Sequence, residues 1–360
     1  MSVFEKLEQA YGVTLIPKLY GNGHINKTYV TSSLPRLIIQ EINVSIFKEP
    51  DGMMQNIAAV TKHLSEKLAA EGKDPARYTL TVVPTKDGKL CTEIDGCFFR
   101  AYRFIEDTVC YDLVTPETLE KAGEAFGEFQ NYLADFPADT LSEVIPDFHN
   151  TPARFAAFCA SVEKDTAGRA ADDADEIAFF RAHETFMRTV TDRLADGRIP
   201  LAVTHNDTKI NNILFDAATG EALAVIDLDT VMPGSRLYDF GDALRTGAAI
   251  AAEDEENLSL VGFDEAKFEA FTRGYLRAIG KTLSDDEIAL LPESALLLTI
   301  ECGMRFLTDD LDGDIYFRIH KDRHNLIRAR NQIKQAIEIE KMLPRLHAIV
   351  DQCLADAKHS

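Results

Sequence analysis

Within the string Thr204-His-Asn-Asp-Thr-Lys-Ile-Asn-Asn212, three residues have the types and spacing that phosphoryl transfer needs: His205, Asp207 and Asn212, in the order H-x-D-x-x-x-x-N. A carboxylate at Asp207 can orient a substrate hydroxyl and take its proton late in the transfer, and an Asn placed like Asn212 can hold a magnesium ion. Lys209 either brings a cation to the moving phosphate or is an exposed loop cation. His205, alone beside a strand end, reads as a residue that shapes the loop by hydrogen bonding rather than one that titrates.

The flanking residues explain how these groups are positioned. Leu201 to Val203 is apolar, Ile213 to Phe215 reads as a short strand, Asp216 to Gly220 as a turn and Ala222 to Ile226 as a second strand, which together make a hairpin. Opposed residues of an antiparallel hairpin have position numbers of constant sum, about 438 for a turn centred near Ala218 and Thr219. Asn212 then lies opposite Ile226 and next to Asp227, so an Asn oxygen and an Asp carboxylate can converge on one hard cation. Asp229 is either an extra ligand or a solvated or hydrogen-bonding carboxylate. The literal Asp-Phe-Gly at Asp239 to Gly241 lies beyond the Pro233-Gly234 turn and is a decoy for the metal Asp. Asp242 is expected to cap a helix Ala243 to Ile250 or to brace the catalytic loop.

Upstream of residue 105 the chain reads as strands: Thr14 to Leu19, Lys27 to Val30, Leu37 to Ile42, Thr79 to Val83, Leu90 to Ile94 and Cys97 to Phe104, interrupted by a helix at Met53 to Ala70. Downstream, helical periods dominate: Pro116 to Leu133, Thr151 to Val162, Ala174 to Arg193, Asp264 to Ile279, Asp285 to Leu307 and Leu326 to Leu354. The predicted class is α+β, with two lobes. Residues 1–105 form a small antiparallel sheet lobe with a helix, and residues 106–360 a mostly helical lobe carrying the catalytic hairpin, metal site and substrate pocket. A turn at Gly21-Asn-Gly23-His24-Ile25-Asn26 lies between the first two strands, where glycines let backbone N–H groups approach phosphates. A glycine turn, a helix after the third strand, a linker and then the H-x-D loop is kinase order, so the fold is expected to be protein-kinase-like.

The 360 residues are 46% apolar, enough for two cores. The net charge of −21 argues against a nucleic-acid or anionic-membrane partner, since both need a basic footprint. ATP is anionic as well, so its site must carry local cations and magnesium. The six cysteines are scattered without a C-x-x-C pair, which disfavours zinc and disulfide frameworks. No signal peptide or long apolar run is present, so the cytoplasm is the expected location. The acidic run Asp309 to Asp314 does not make a calcium loop: Ile315 stands where glycine is needed and Lys321 where glutamate is needed. Nothing in the sequence specifies an oligomeric state.

The segments THNDTKINNILF and AVIDLDTVMPG, in this order of parts, resemble the aminoglycoside phosphotransferase and choline kinase superfamily across essentially the whole chain. Within it, GNGHINKTYV, IPDFHNTPARF, YDFGDALR, GMRFLTDDLDGDIYF and NLIRARNQ are similar to the N-acetylhexosamine 1-kinase group. The resemblance implies an ATP- and Mg2+-dependent kinase that phosphorylates the anomeric hydroxyl of N-acetylglucosamine or N-acetylgalactosamine. Asp207 would be the base, with Asn212 and Asp227 as metal ligands. Arg103, Phe104, Ile105 and Glu106 would offer backbone groups to adenine. The sugar would meet Arg305 and Tyr316, His24 or Ile25 from the glycine turn, and Arg245 as a further candidate. Two of these have competing readings: Arg305 as the partner of Glu301 one helical turn earlier, and Tyr316 as core.

The third strand ends in Gln40, where kinases with a V-A-I-K strand carry the phosphate-gripping lysine. Neutralisation of the phosphates is then expected to lean on magnesium, Lys209, and Lys27 or Arg36. Rival readings are a kinase of the same fold acting on homoserine, choline, an aminoglycoside or another small alcohol, and a nucleotide-binding pseudokinase.

Overall fold

The computed structural model describes residues 1–21, 26–111 and 114–359. Gly23, His24 and Ile25 lie outside the described residues.

The chain opens with helix α1 (Val3–Tyr11), capped by Ser2 with Glu5 bonding back to the cap. Strands β1 (Lys27–Val30) and β2 (Leu37–Ile42) follow, then α2 (Pro50–Ala70), the one-turn α3 (Pro75–Tyr78), β3 (Cys91–Ile94) and β4 (Cys97–Arg103). The four strands form one antiparallel sheet in the order β1-β2-β4-β3. Side chains alternate across it. Ile39, Phe99 and Ala101 join Leu7 and Tyr11 of α1 in a small core on one face, while Ile42 and Tyr102 join the α2 residues Ile57, Val60 and Leu64 in the large core on the other. Two expected strands are reduced to single bridges, Leu15 with Thr31 and Val82 with Tyr102. Pro17 and Pro84, which donate no ladder hydrogen bond, interrupt those segments.

The helical part comprises α4 (Pro116–Tyr132), α5 (Thr151–Lys164), α6 (Ala174–Ala182), α7 (Glu184–Met187), α8 (Thr189–Ala195), α9 (Arg236–Gly247), α10 (Glu265–Ile279), α11 (Asp285–Ala289), α12 (Leu291–Asp312) and α13 (His324–His359). The single helix expected over Ala174 to Arg193 is three short ones, and His183 at the first break bonds back to the Phe179 carbonyl at 2.7 Å. The helix expected from Asp285 breaks at Leu290, because Pro292 opens the next helix and disfavours helical geometry before it. Among the described residues no helix is long and apolar enough to cross a membrane.

Between α8 and α9 runs the predicted hairpin. Strand β5 (Thr108–Val109) pairs with β7 (Ile213–Asp216), which pairs with β8 (Ala222–Val225), while β6 (Ala202–Thr204) pairs with β9 (Met232–Gly234). Ile213 faces Val225 and Leu214 faces Ala224, as the constant sum requires, before a bulge at Phe215. The Ile226 N–H donates to the Asn212 carbonyl at 2.8 Å, so Asn212 and Asp227 do meet at the hairpin's open end.

Helix α4 packs so closely on α10 that glycine is required on both. A Cβ at Gly123 would stand 2.2 Å from the Phe271 carbonyl oxygen, and one at Gly274 only 2.0 Å from that of Glu120. Gly274→Ala should therefore force the two helices apart and cost about 1–3 kcal/mol. A urea midpoint unchanged from the wild type would show that the helices absorb the methyl group.

Candidate active site

The catalytic loop hangs on one buried carboxylate, and it belongs to the Asp-Phe-Gly. Asp239 Oδ1 accepts the N–H groups of Asn206 at 2.7 Å and His205 at 3.1 Å, while Oδ2 accepts His205 N–H at 2.9 Å and the Gln130 amide at 2.7 Å. Gln130 is in turn held by the Tyr275 hydroxyl. Asp239 is thus no metal ligand but the anchor of the loop. Burial raises its pKa, opposed by the His205 contact and by these hydrogen bonds.

Asp242 braces rather than caps. Helix α9 begins at Arg236 with Ser235 as its cap, so Asp242 lies inside it. Its carboxylate accepts the Thr208 N–H at 3.1 Å and pairs with Arg245. Burial pushes its pKa up, but Arg245 and Lys209 outweigh that and leave it below the usual value. Arg245, a candidate for sugar contact, spends its guanidinium on Asp242 and on Glu253 at 2.9 Å.

His205 fills the loop-shaping role expected of it. Its Nε2 meets the Ile226 carbonyl at 2.8 Å and its Nδ1 accepts the Asp207 N–H at 3.2 Å. That pattern assigns a neutral ring protonated on Nε2. Asn206 takes a left-handed φ of 64°, held by its amide on the Thr230 carbonyl, while the Thr230 hydroxyl returns to the His205 carbonyl.

The loop so fixed presents Asp207 half-buried. Its Oδ1 is 2.7 Å from Lys209 Nζ and its Oδ2 accepts the Asn212 amide at 3.1 Å. Lys209 is therefore bound to Asp207, and its charge is strengthened: burial lowers its pKa, but Asp207 and Asp242 more than reverse this. Across the hairpin end, Asp227 has a left-handed φ of 59°. Its carboxylate makes no hydrogen bond or ion pair among the described residues, and burial, then the charges of Asp229 and Asp207, push its pKa up to about 6. A half-buried carboxylate near two others and without a donor is a group that a hard cation would satisfy. Asn212 supplies the second oxygen, and no group of three or more acidic, His or Cys ligands gathers among the described residues. That sparse set suits magnesium, which keeps water and phosphate oxygens in its other positions.

Asp229, close to Asp227, has partners of its own. One oxygen accepts the Asn26 amide at 2.7 Å and the other pairs with Arg100. Asn26, expected at the nucleotide, is buried between Asp229 and the Asn43 N–H. Gln40 is occupied by Arg100 and by the Thr28 hydroxyl. Lys27 pairs with Glu41 at the surface, and Arg36 with Glu106 over the Phe104 ring. Neither is a phosphate cation here. Arg100 was missed because its register opposite Gln40 is a product of strand pairing. Gly21 is exposed, with a left-handed φ of 74°.

Between the lobes, Arg103 N–H bonds Thr81, Phe104 N–H bonds Arg36, and the Glu106 carbonyl accepts Arg77 at 2.6 Å. The Phe104 carbonyl and the Glu106 N–H remain without partners among the described residues, a donor and an acceptor two residues apart that can meet one edge of a purine.

In the helical lobe the Arg305 guanidinium lies 5.5, 5.9 and 5.6 Å from the ring centroids of Phe148, Tyr316 and Phe317. It does not pair with Glu301, which is taken by His149 at 2.7 Å and Thr151 at 2.5 Å. Tyr316 is 63% exposed, which rules out the core reading. Asp309 holds this segment by accepting the N–H groups of Ile315, Tyr316 and Phe317. Arg154 also lies over Phe148, at 5.7 Å, and burial followed by the nearby Arg305 lowers its pKa.

Three solved structures are similar over nearly the full length. They are a microcompartment-associated aminopropanol kinase (17% identity, TM-score 0.63, covering 95% of this chain and 97% of that one), an aminoglycoside phosphotransferase from Alicyclobacillus acidocaldarius subsp. acidocaldarius DSM 446 (13%, 0.61, 98% and 97%), and an amicoumacin kinase in complex with AMP-PNP, Ca2+ and Ami (14%, 0.59, 94% and 93%). At such identities the likeness is one of fold. Residues 20–278 also match the phosphotransferase enzyme family. With that match covering well over half of its length, the chain belongs to the phosphotransferase enzyme family.

Proposed function

We propose that the protein is an ATP-dependent kinase that transfers the γ-phosphate to the anomeric hydroxyl of an N-acetylhexosamine, N-acetylglucosamine or N-acetylgalactosamine, giving the sugar 1-phosphate. The observation that carries the chemistry is the half-buried Asp207 carboxylate, fixed between Lys209 and the Asn212 amide and set beside the unpartnered Asp227. In this reading residues 1–105 bind the nucleotide and residues 106–360 hold the acceptor and the catalytic loop. The AMP-PNP and calcium ion in the amicoumacin kinase complex support ATP with a divalent cation.

Each step falls to a named group. Phe104 and Glu106 position adenine through main-chain contacts. Asn212 and Asp227 would hold a magnesium ion, which when bound would supply positive charge against the phosphates. Asp207 accepts a hydrogen bond from the acceptor hydroxyl and orients its oxygen in line with the γ-phosphorus. As the new P–O bond forms and the bond to the β-phosphate oxygen breaks, the hydroxyl proton passes to Asp207 and ADP leaves. Lys209, tethered to the same carboxylate, places its charge at the transferring group.

The acceptor class rests on the aromatic cluster around Arg305 in the helical lobe and on the similarity to the N-acetylhexosamine 1-kinase group. Phe148, Tyr316 and Phe317 offer apolar faces to a sugar ring, and the Arg305 guanidinium can donate to hydroxyl or acetamido oxygens. Arg154 and Arg305 side by side repel a cation, which disfavours choline and aminoglycosides relative to a neutral sugar.

The decisive assay supplies ATP and magnesium with N-acetylglucosamine, N-acetylgalactosamine, galactose, homoserine and choline, and follows ADP release and the product by phosphorus NMR. A sugar 1-phosphate signal confined to the acetamido sugars is expected. ADP release with homoserine or choline alone would overturn the acceptor assignment, and no turnover at all would favour a pseudokinase. Asp207→Asn should lower kcat by about 10²–10⁴-fold while ADP binding stays close to wild type. Near-normal turnover by that variant would remove Asp207 from the role of base. Arg305→Met should raise the KM for the sugar at least tenfold and leave the KM for ATP within about twofold. Equal rises in both constants would place Arg305 outside the acceptor pocket.

A further inference from the structure

Gln40 stands where a third-strand lysine would grip the nucleotide phosphates, yet the sheet lobe is not without a cation at that point. Gln40 in β2 is the register partner of Arg100 in β4. Both share the sheet face of Ile42 and Tyr102, the one turned away from α1 and toward the helical lobe. Arg100 is 1% exposed, and among the described residues it is the only buried cation of the sheet lobe. Its Nε and Nη2 donate to Gln40 Oε1 at 3.0 and 2.8 Å, and its Nη1 pairs with Asp229 across the lobe boundary.

A charge in that place is not explained by stability alone. Burying an ion pair costs several kcal/mol of desolvation per ion, and an apolar pair of similar volume is often as stable or more so. This pair is also imperfectly satisfied, since Arg100 Nη1 and Asp229 Oδ1 have no hydrogen bond beyond each other. Arg100 also lies near enough to Asp227 to oppose the rise in its pKa. A fixed positive charge is therefore paired with Asp229 and close to Asp227, carboxylates that would otherwise repel an incoming polyphosphate.

Building on the kinase reading, we propose that Arg100 supplies from β4 the phosphate-attracting charge that Gln40 leaves out of β2, with Gln40 and Asp229 holding its guanidinium in place. Arg100 is a positioning residue: it acts through the field at the phosphate end of the nucleotide and through the strut it forms with Asp229. Gln40 is then its acceptor and not a direct nucleotide ligand.

The test is calorimetric titration of ADP into the full chain, with magnesium and again in EDTA, so that metal binding and phosphate binding are read separately. Arg100→Met should weaken ADP at least tenfold in EDTA. Asp229→Asn breaks the same ion pair but keeps the cation, and should tighten ADP at least threefold in EDTA. Moving the charge back with Gln40→Lys in the Arg100→Met background should recover affinity to within threefold of wild type. Equal losses in Arg100→Met and Asp229→Asn would reduce the pair to a structural strut and overturn the inference, as would a folded Arg100→Met that binds ADP normally. Melting temperatures accompany each titration. If Arg100→Met does not fold, Asp229→Asn and the charge-moved double variant decide: ADP binding weaker than wild type in Asp229→Asn, or more than threefold weaker in the double variant, sinks the proposal. Wild-type protein that takes up no ADP under either condition would end the kinase reading itself, and this inference with it.

Discussion

A single buried carboxylate, Asp239, is the constraint on which the rest of the site depends. Residues 205 and 206 turn through a left-handed Asn, and their two N–H groups point into the protein where no strand partner can reach them. Each such group left unpaired would cost about 1–3 kcal/mol. Asp239 satisfies both from the first turn of α9, and Gln130 of α4 with Tyr275 of α10 satisfy its remaining capacity. The close packing of α4 on α10 through Gly123 and Gly274 is therefore tied to the direction in which Asp207 points.

The second constraint is electrostatic. Three aspartates converge near the hairpin's open end, and each has a different environment. Asp207 is held by Lys209 and Asn212, Asp229 by Arg100 and Asn26, and Asp227 by neither cation nor donor. Like charges brought together in a low-dielectric setting separate into distinct roles by what surrounds them. The same contacts join the lobes, because Asn26 and Arg100 come from the sheet lobe, as does Asn56 of α2, whose amide bonds the Val231 carbonyl at 2.9 Å. Lobe alignment and carboxylate roles are thus set by shared bonds.

Much of the site was legible along the chain because its parts are local. The hairpin from Ile213 to Val225 follows from strand propensity, turn residues and a fixed register, and this alone set Asp227, and not Asp239, beside Asn212. Alternation and helical periodicity likewise marked most elements, since burial on one face imposes them. Failures came where local signals compete with packing. Proline broke two strands and one helix, and the start of α9 was read seven residues late because the Asp-Phe-Gly drew attention as a motif and not as a helical turn.

By itself the sequence determined the α+β class, the hairpin and the placing of Asn212 beside Asp227, all of which depend on residues near one another in the chain. Only the tertiary structure decided which cation serves which carboxylate. Lys27 and Arg36 were taken by surface partners, Arg245 by Asp242 and Glu253, and Arg100 by Asp229 more than a hundred positions away. Charge pairing at such separations depends on strand register and lobe docking, and neither is encoded in the spacing of the residues that meet.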